Sequence, residues 1–191
     1  MTPIFYYDLM SPYAYLAAER VDRVLPEPPR WQPVLLGGLF RLAGRSSWAV
    51  GDHDRRRRGM AEIERRAHDY GMPPLRWPDP WPSNSLHAMR AAIHARRAGR
   101  EREFAAAAFA AAFAEGHDLA ELRHLPAAAE RAGLEPAEVG SAIEERGVKD
   151  ELRAVTDEAH ARGVFGVPTV AAGGELFWGD DRLEEAGAAL R

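Results

Sequence analysis

Ile4-Phe5-Tyr6-Tyr7-Asp8-Leu9-Met10-Ser11-Pro12-Tyr13-Ala14 reads as a strand that turns directly into a helix. Residues 3–8 are apolar, aromatic and rich in β-formers, the pattern of a short buried strand. Ser11 stands where an N-cap belongs, because its side-chain oxygen can accept a hydrogen bond from an N–H inside the first turn. Pro12 suits the first helical position, where the missing N–H would have had no helical partner. Ala17, Val21, Val24 and Leu25 recur at helical spacing between Glu19, Arg20, Asp22 and Arg23, and prolines 26, 28 and 29 close the helix. Trp31 to Leu36 reads as a second strand ended by Gly37-Gly38. The result is a β-α-β unit, for which parallel strands are expected.

The chain of 191 residues is 46% hydrophobic, enough for one compact domain or one domain with a large insertion. A net charge of -4 gives no global reason to expect nucleic acid or an anionic membrane as partner. With no cysteine, disulfides, zinc–thiolate sites and a protein-borne redox dithiol are excluded. No apolar run approaches the ~20 residues of a membrane span, and no basic, apolar and cleavage regions mark a leader, so a cytoplasmic location is the expectation. Lysine occurs only at Lys149 while arginine and alanine abound, which reads as coding bias.

Residues 39–58 read as irregular, with the run Arg55 to Arg58. Residues 59–70 look helical, and 72–82 hold five prolines and two tryptophans, a loop packed by rings. Helices are expected from Asn84 or Ser85 to Ala98, over 101–115, from Leu119 to Ala132, from Glu135 to Arg146 and over 149–162. Val167 to Ala172, Gly173-Gly174 and Glu175 to Trp178 are a hairpin signal. Asp180 or Asp181 is placed to cap a last helix from Arg182 to Leu190.

Three segments carry chemical possibilities. Ser11 is a good helix cap, and a hydroxyl at a helix N-terminus can also donate to a thiolate held there. Such surroundings lower a thiol pKa from about 8.5. No Gly-x-Ser-x-Gly elbow or placed His-Asp partner makes Ser11 a nucleophile. Val167-Pro168 is either an ordinary strand start or a cis bond, and a cis turn would leave the backbone of Val167 to pair with a ligand's backbone. Trp178-Gly179-Asp180-Asp181 offers one cap and one spare carboxylate for an ammonium group, as in the γ-glutamyl end of glutathione. Metal ligation is not expected from the scattered histidines, His87 and His94 included. Arg55 to Arg58 is a solvated run from which one arginine could reach an anionic substrate. Trp77, Trp81 and Asn84 either line a pocket or only pack and cap.

Thioredoxin-fold redox proteins carry Cys-x-x-Cys at a strand-to-helix junction, where this chain has Ser11-Pro12-Tyr13-Ala14. Phe5 to Leu16, Tyr70-Gly71-Met72-Pro73, Asn84-Ser85 with Ala88-Met89-Arg90, and Val164 to Thr169 through Leu176 to Leu183 resemble 2-hydroxychromene-2-carboxylate isomerases, relatives of kappa-class glutathione transferases and DsbA oxidoreductases. The resemblance spans nearly the whole chain. It implies an α/β, thioredoxin-like fold with a large all-helical insertion: residues 1–37 and 155–191 form the thioredoxin-like domain and 38–154 the insertion. It implies glutathione, or another low-molecular-weight thiol, as cofactor. Ser11 carries over as the catalytic residue that stabilises the thiolate, Val167 with Pro168 as the backbone partner, and Trp178, Gly179, Asp180 and Asp181 as the anchor of the γ-glutamyl end. The implied reaction is glutathione-dependent cis–trans isomerisation of an aromatic or conjugated carbonyl compound by reversible thiolate addition. The alternatives are a kappa-like glutathione transferase and a non-catalytic thiol-peptide-binding protein. A homodimer is also implied.

The chain departs from that pattern after its second strand. The relatives carry Gly-Asn with a nearby proline and a lysine that helps hold the aromatic carboxylate. Here the segment is Gly44-Arg45-Ser46-Ser47-Trp48, so Arg41, Arg45 or one of Arg55 to Arg58 is left for that role, with a different reach and geometry. Arg45, Trp81 and Asn84 are the expected substrate contacts.

Overall fold

The strand-to-helix junction forms as expected, as strand β1 (Ile4–Tyr7) followed by helix α1 (Pro12–Ala18). The computed structural model describes residues 2–191. The chain continues through α2 (Val21–Val24), β2 (Arg30–Pro33), α3 (Leu36–Leu42) and α4 (His53–Asp69). A block of helices follows: α5 (Leu86–Arg97), α6 (Glu101–Phe109), α7 (Leu125–Arg131), α8 (Pro136–Ala142) and α9 (Arg146–Ala161). The hairpin β3 (Thr169–Ala172) and β4 (Glu175–Trp178) and the helix α10 (Leu183–Ala188) end the chain.

The four strands form one sheet in the order β2-β1-β3-β4. β1 and β2 are parallel, Phe5 opposite Trp31, while β1–β3 and β3–β4 are antiparallel. Gly173 and Gly174 turn the hairpin with φ of 59° and 87°, the left-handed geometry that a two-residue hairpin loop requires. β1 is covered on both faces, as its uninterrupted apolar run demands. Phe5 and Tyr7 point into the large core shared with α1, α5 and α6, whereas Tyr6 points the other way, among Val34, Leu39 of α3 and Ala159 of α9.

The helical block packs on alanine. Ala88, Ala91, Ala92 and Ala95 of α5 and Ala105 and Ala108 of α6 are buried, which lets these helices approach closely around Phe104, Phe109 and Phe113. The abundance of alanine thus has a packing role that composition alone did not reveal. At its C-terminal end α6 passes into a π-helical turn, Ala110–Ala114, and the Phe113 carbonyl accepts from the Arg76 N–H at 2.8 Å. That bond anchors the proline-rich segment.

Four local expectations change. The first helix breaks at Arg20, whose φ of -121° is not helical; its side chain turns inward to the Asp180 carbonyl (3.1 Å) and lies 3.7 Å from the centre of the Tyr70 ring. The second strand ends at Pro33, and Leu36 to Leu42 is helical through Gly37-Gly38. Gly38 serves close packing: a Cβ there would sit 3.1 Å from Cγ2 of Thr156 on α9. Helix α4 starts at His53, because Asp52 accepts the Arg55 N–H at 2.9 Å, so the arginine run is helical. Neither Asp180 nor Asp181 caps α10 with its side chain; residues 180–182 form a 3₁₀ turn instead. Residues 37/38 fall within α3 and 154/155 within α9.

Thr156 fixes the start of α3. Its Oγ1 accepts the Leu35 N–H at 3.0 Å and donates to the Leu152 carbonyl at 2.7 Å, and the residue is buried. Thr156→Val keeps the volume but leaves the Leu35 N–H without an acceptor. The expected loss is about 1–3 kcal/mol. It is read from the urea midpoint at unchanged m-value.

Candidate functional site

A cleft of about 850 Å³ opens where β1 meets α1. Its walls come from the α1 start, the α3 start, the segment between α3 and α4, residues 81–86, and Gly166-Val167 with Trp178. Of the expected residues, Ser11, Val167, Trp178, Arg45, Trp81 and Asn84 line this one cleft.

Ser11 is buried, 4% exposed, and adopts the extended geometry of an N-cap. Its Oγ accepts the Ala14 N–H at 3.2 Å, and its own N–H donates to the Asp8 carbonyl at 3.0 Å. The side-chain hydroxyl is a donor in none of the hydrogen bonds described, so its hydrogen is available to a ligand. Cap and donor are therefore compatible roles for one side chain.

Asp8 lies beneath Ser11, and sequence reading passed over it. It is 1% exposed and has no cationic partner among the described residues. One oxygen accepts the Met10 N–H at 3.0 Å; the other accepts the Leu36 N–H at 2.8 Å and the Ser85 hydroxyl at 2.9 Å. Burial raises its pKa, and these three donors oppose the rise. The available signal was a carboxylate at the end of a fully apolar strand.

The Val167-Pro168 bond is cis. Neither the N–H nor the carbonyl of Val167 has a backbone partner among the described residues, while the Pro168 carbonyl accepts the Gly179 N–H at 3.0 Å. Trp178 is half exposed and packs against Phe165, with ring centres 4.9 Å apart. Gly166 lets that indole in, since a Cβ there would sit 2.8 Å from Nε1. Asp180 is buried and already engaged: Oδ1 accepts from Arg66 at 3.0 Å and Oδ2 from the Tyr70 hydroxyl at 2.9 Å. Burial pushes the Asp180 carboxyl up, and Arg66 and Tyr70 pull it back. Asp181 is the exposed carboxylate of the pair, 3.4 Å from Arg66.

Trp81 donates through Nε1 to the Met10 carbonyl at 3.2 Å, which ties the proline-rich segment to the residue before Ser11. The Trp77 indole donates to Glu64 at 2.7 Å and the Ser83 hydroxyl to Asp118 at 2.6 Å. Asn84 is exposed and accepts the Leu86 N–H at 2.9 Å. The Arg45 guanidinium stands 4.9 Å from the Phe165 ring centre. Of the arginine run only Arg55 lines the cleft; Arg56 and Arg57 bond to His53 and Asp54 on their own helix. Arg41 lines a separate, smaller depression.

The DsbA-like thioredoxin domain family model matches residues 3–191. The chain belongs to this family. Within it, the chain is 28% identical over 188 residues to the 2-hydroxychromene-2-carboxylate isomerase of Sphingobium xenophagum, covering 94% of this chain and 93% of that protein. It is also 28% identical to the isomerase of the same name from Pseudomonas putida, over 191 residues, covering 94% and 89%. A solved 2-hydroxychromene-2-carboxylate isomerase superposes with a TM-score of 0.86 at 25% identity, covering 100% of this chain and 94% of the other. The cytosolic disulfide reductase DsbM of Pseudomonas aeruginosa, solved with GSH, shares the fold with a TM-score of 0.66 at 18% identity, covering 100% and 96%. The α/β, thioredoxin-like class that the resemblance implied is therefore that of the protein, with a large helical content.

The raised Asp8 carboxyl sets the sign of a pH effect. The folded protein binds this proton more tightly than the unfolded chain, whose value is near 3.8. The stability it contributes is complete below that value and is lost as pH rises through the folded one. Asp8→Asn cannot titrate, so wild type should lose stability relative to Asp8→Asn as pH rises above about 3.8. Urea unfolding of both proteins across that range measures the slope, and a flat or rising difference contradicts the burial argument.

Proposed function

We propose that the protein is a glutathione-dependent isomerase acting on a 2-hydroxychromene-2-carboxylate-type aromatic substrate. The observation that carries this reading is the buried Ser11 hydroxyl, with a hydrogen to donate, in a cleft of a cysteine-free chain. The similarity to isomerases over nearly the whole chain supports the same reaction class.

Glutathione, or another low-molecular-weight thiol, supplies when bound a nucleophilic sulfur that adds reversibly to a conjugated carbonyl compound. The residues present fit such a peptide. The unpartnered N–H and carbonyl of Val167 pair with its backbone, as an added strand would. Trp178 forms the adjoining wall, Gly179 next to it holds the Pro168 carbonyl, and Asp181 takes the ammonium of the γ-glutamyl end. Asp180 positions this turn through Arg66 and Tyr70, since both of its oxygens are occupied. Ser11 holds its proton toward the sulfur and favours the thiolate over the thiol. Arg45, with Arg55, faces the anionic part of the acceptor, and Trp81 and Asn84 line its place beside Ser11. Isomerisation consumes no thiol, so the cofactor leaves unchanged.

Ser11→Ala tests the assignment. With glutathione bound, wild type should show thiolate absorbance near neutral pH, and the variant should show it about one pH unit or more higher, with a matching fall in turnover. Identical titrations would remove Ser11 from its role. Recovery of intact glutathione after turnover is expected, whereas accumulation of a thioether conjugate would make the protein a kappa-like transferase.

A further inference from the structure

The cleft wall between α3 and α4 depends on a glycine in the middle of a helix. Trp48, on that connecting segment, lines the cleft and has its ring centre 5.7 Å from Trp81 and 6.2 Å from Tyr13. It also packs against Leu16, Ile63 and Ala67. Its indole rests on Gly59, the seventh residue of the 17-residue helix α4. A Cβ at position 59 would overlap the six-membered ring: Cζ3 and Cη2 collide outright, and Cε3 would be only 2.9 Å away. Gly59 has no positive φ, so its backbone does not require glycine. Glycine is also among the least favourable residues in a helix interior, which leaves the Trp48 ring as the physical reason for it.

We infer that Gly59 is a specificity-determining residue: it seats Trp48 against α4, so that Trp48 and Trp81 form a fixed aromatic corner that receives a planar aromatic carboxylate beside Ser11. Trp81 is bonded to the Met10 carbonyl, so the corner is held next to the Ser11 junction. Arg45 and Arg55 lie on either side of Trp48 in sequence, both line the cleft, and neither makes an ion pair among the described residues. An aromatic ring packs on the corner by face or edge, and the carboxylate meets guanidinium groups not already held in an ion pair. The inference deepens the proposed isomerase reading, on which its substrate class rests, but the seat itself is testable without turnover.

The experiment is a double-mutant cycle of Gly59→Ala and Trp48→Ala, with thermal unfolding and calorimetric binding of cinnamate, a planar aromatic carboxylate, measured without any thiol present so that no addition occurs. With Trp48 present, Gly59→Ala should lower Tm, because the methyl displaces the ring. With Trp48→Ala in the background, the same change should raise Tm, because alanine is the better helix former. Gly59→Ala should weaken cinnamate about tenfold or more, as Trp48→Ala does, while glutathione binds within about twofold of wild type. If Gly59→Ala alone fails to fold and the double variant folds, the seat is supported. Equal stabilisation in both backgrounds, or unchanged cinnamate binding by Gly59→Ala, overturns the inference. Absent isomerisation with the expected cycle and cinnamate results would instead remove the proposed reaction and leave the aromatic corner standing.

Discussion

A buried carboxylate at the cleft lining, with no counter-ion among the described residues, organises the segments around it. Asp8 is satisfied by three donors from three different places: the Met10 N–H at the junction, the Leu36 N–H at the start of α3, and the Ser85 hydroxyl at the start of α5. An isolated buried charge costs far more than a neutral polar group. Helix starts leave N–H groups without helical partners and carry the positive end of the dipole, so they are suited to offset that cost. The arrangement works only when all three segments converge. Asp8 therefore ties the position of Ser11 to two walls of the cleft contributed from far along the chain, and Thr156 adds a second tie at the α3 start.

Where the determining forces are local, the sequence was legible. Ser11-Pro12 specifies a helix start through a cap and a ring-fixed φ, and Gly173-Gly174 specifies a hairpin through φ values that other residues resist. Helix α3 was not legible because its cause is remote. Trp31 to Leu36 reads as a strand ended by two glycines, yet the N–H groups of Leu35 and Leu36 find acceptors on Thr156 and Asp8, 121 and 28 residues away. The start of α4 was hidden for a different reason: a run of arginines suggests a solvated surface but does not distinguish helix from loop, and the Asp52 cap decides it.

The candidate site divides along the same line. Ser11, Val167, Trp178, Arg45, Trp81 and Asn84 come together in one cleft, although 167 residues separate Ser11 from Trp178 in the chain. Asp180 is the instructive exception. Local reasoning treated it as a helix cap or a free carboxylate, and the fold spends it on Arg66 and Tyr70 of α4 and its C-cap. Tertiary partners of that kind leave no local trace. Gly59 shows the reverse: within a helix its only visible property is poor propensity, and its purpose becomes plain once the Trp48 ring is found against it.

The charges around Ser11 set a constraint on any anionic chemistry there. Asp8 lies three residues away in sequence and is itself buried, and like charges repel more strongly there than in solution. A second anion in the cleft would raise the cost of the first. Two features relieve this. The donors on Asp8 spread its charge into three segments, and the exposed Arg45 and Arg55 bring positive charge to the cleft lining. Burial, which raises the affinity of Asp8 for a proton, works in the same direction. Under the proposed reaction, an anionic sulfur beside Ser11 and a proton on Asp8 would favour one another, as coupled titrating sites do.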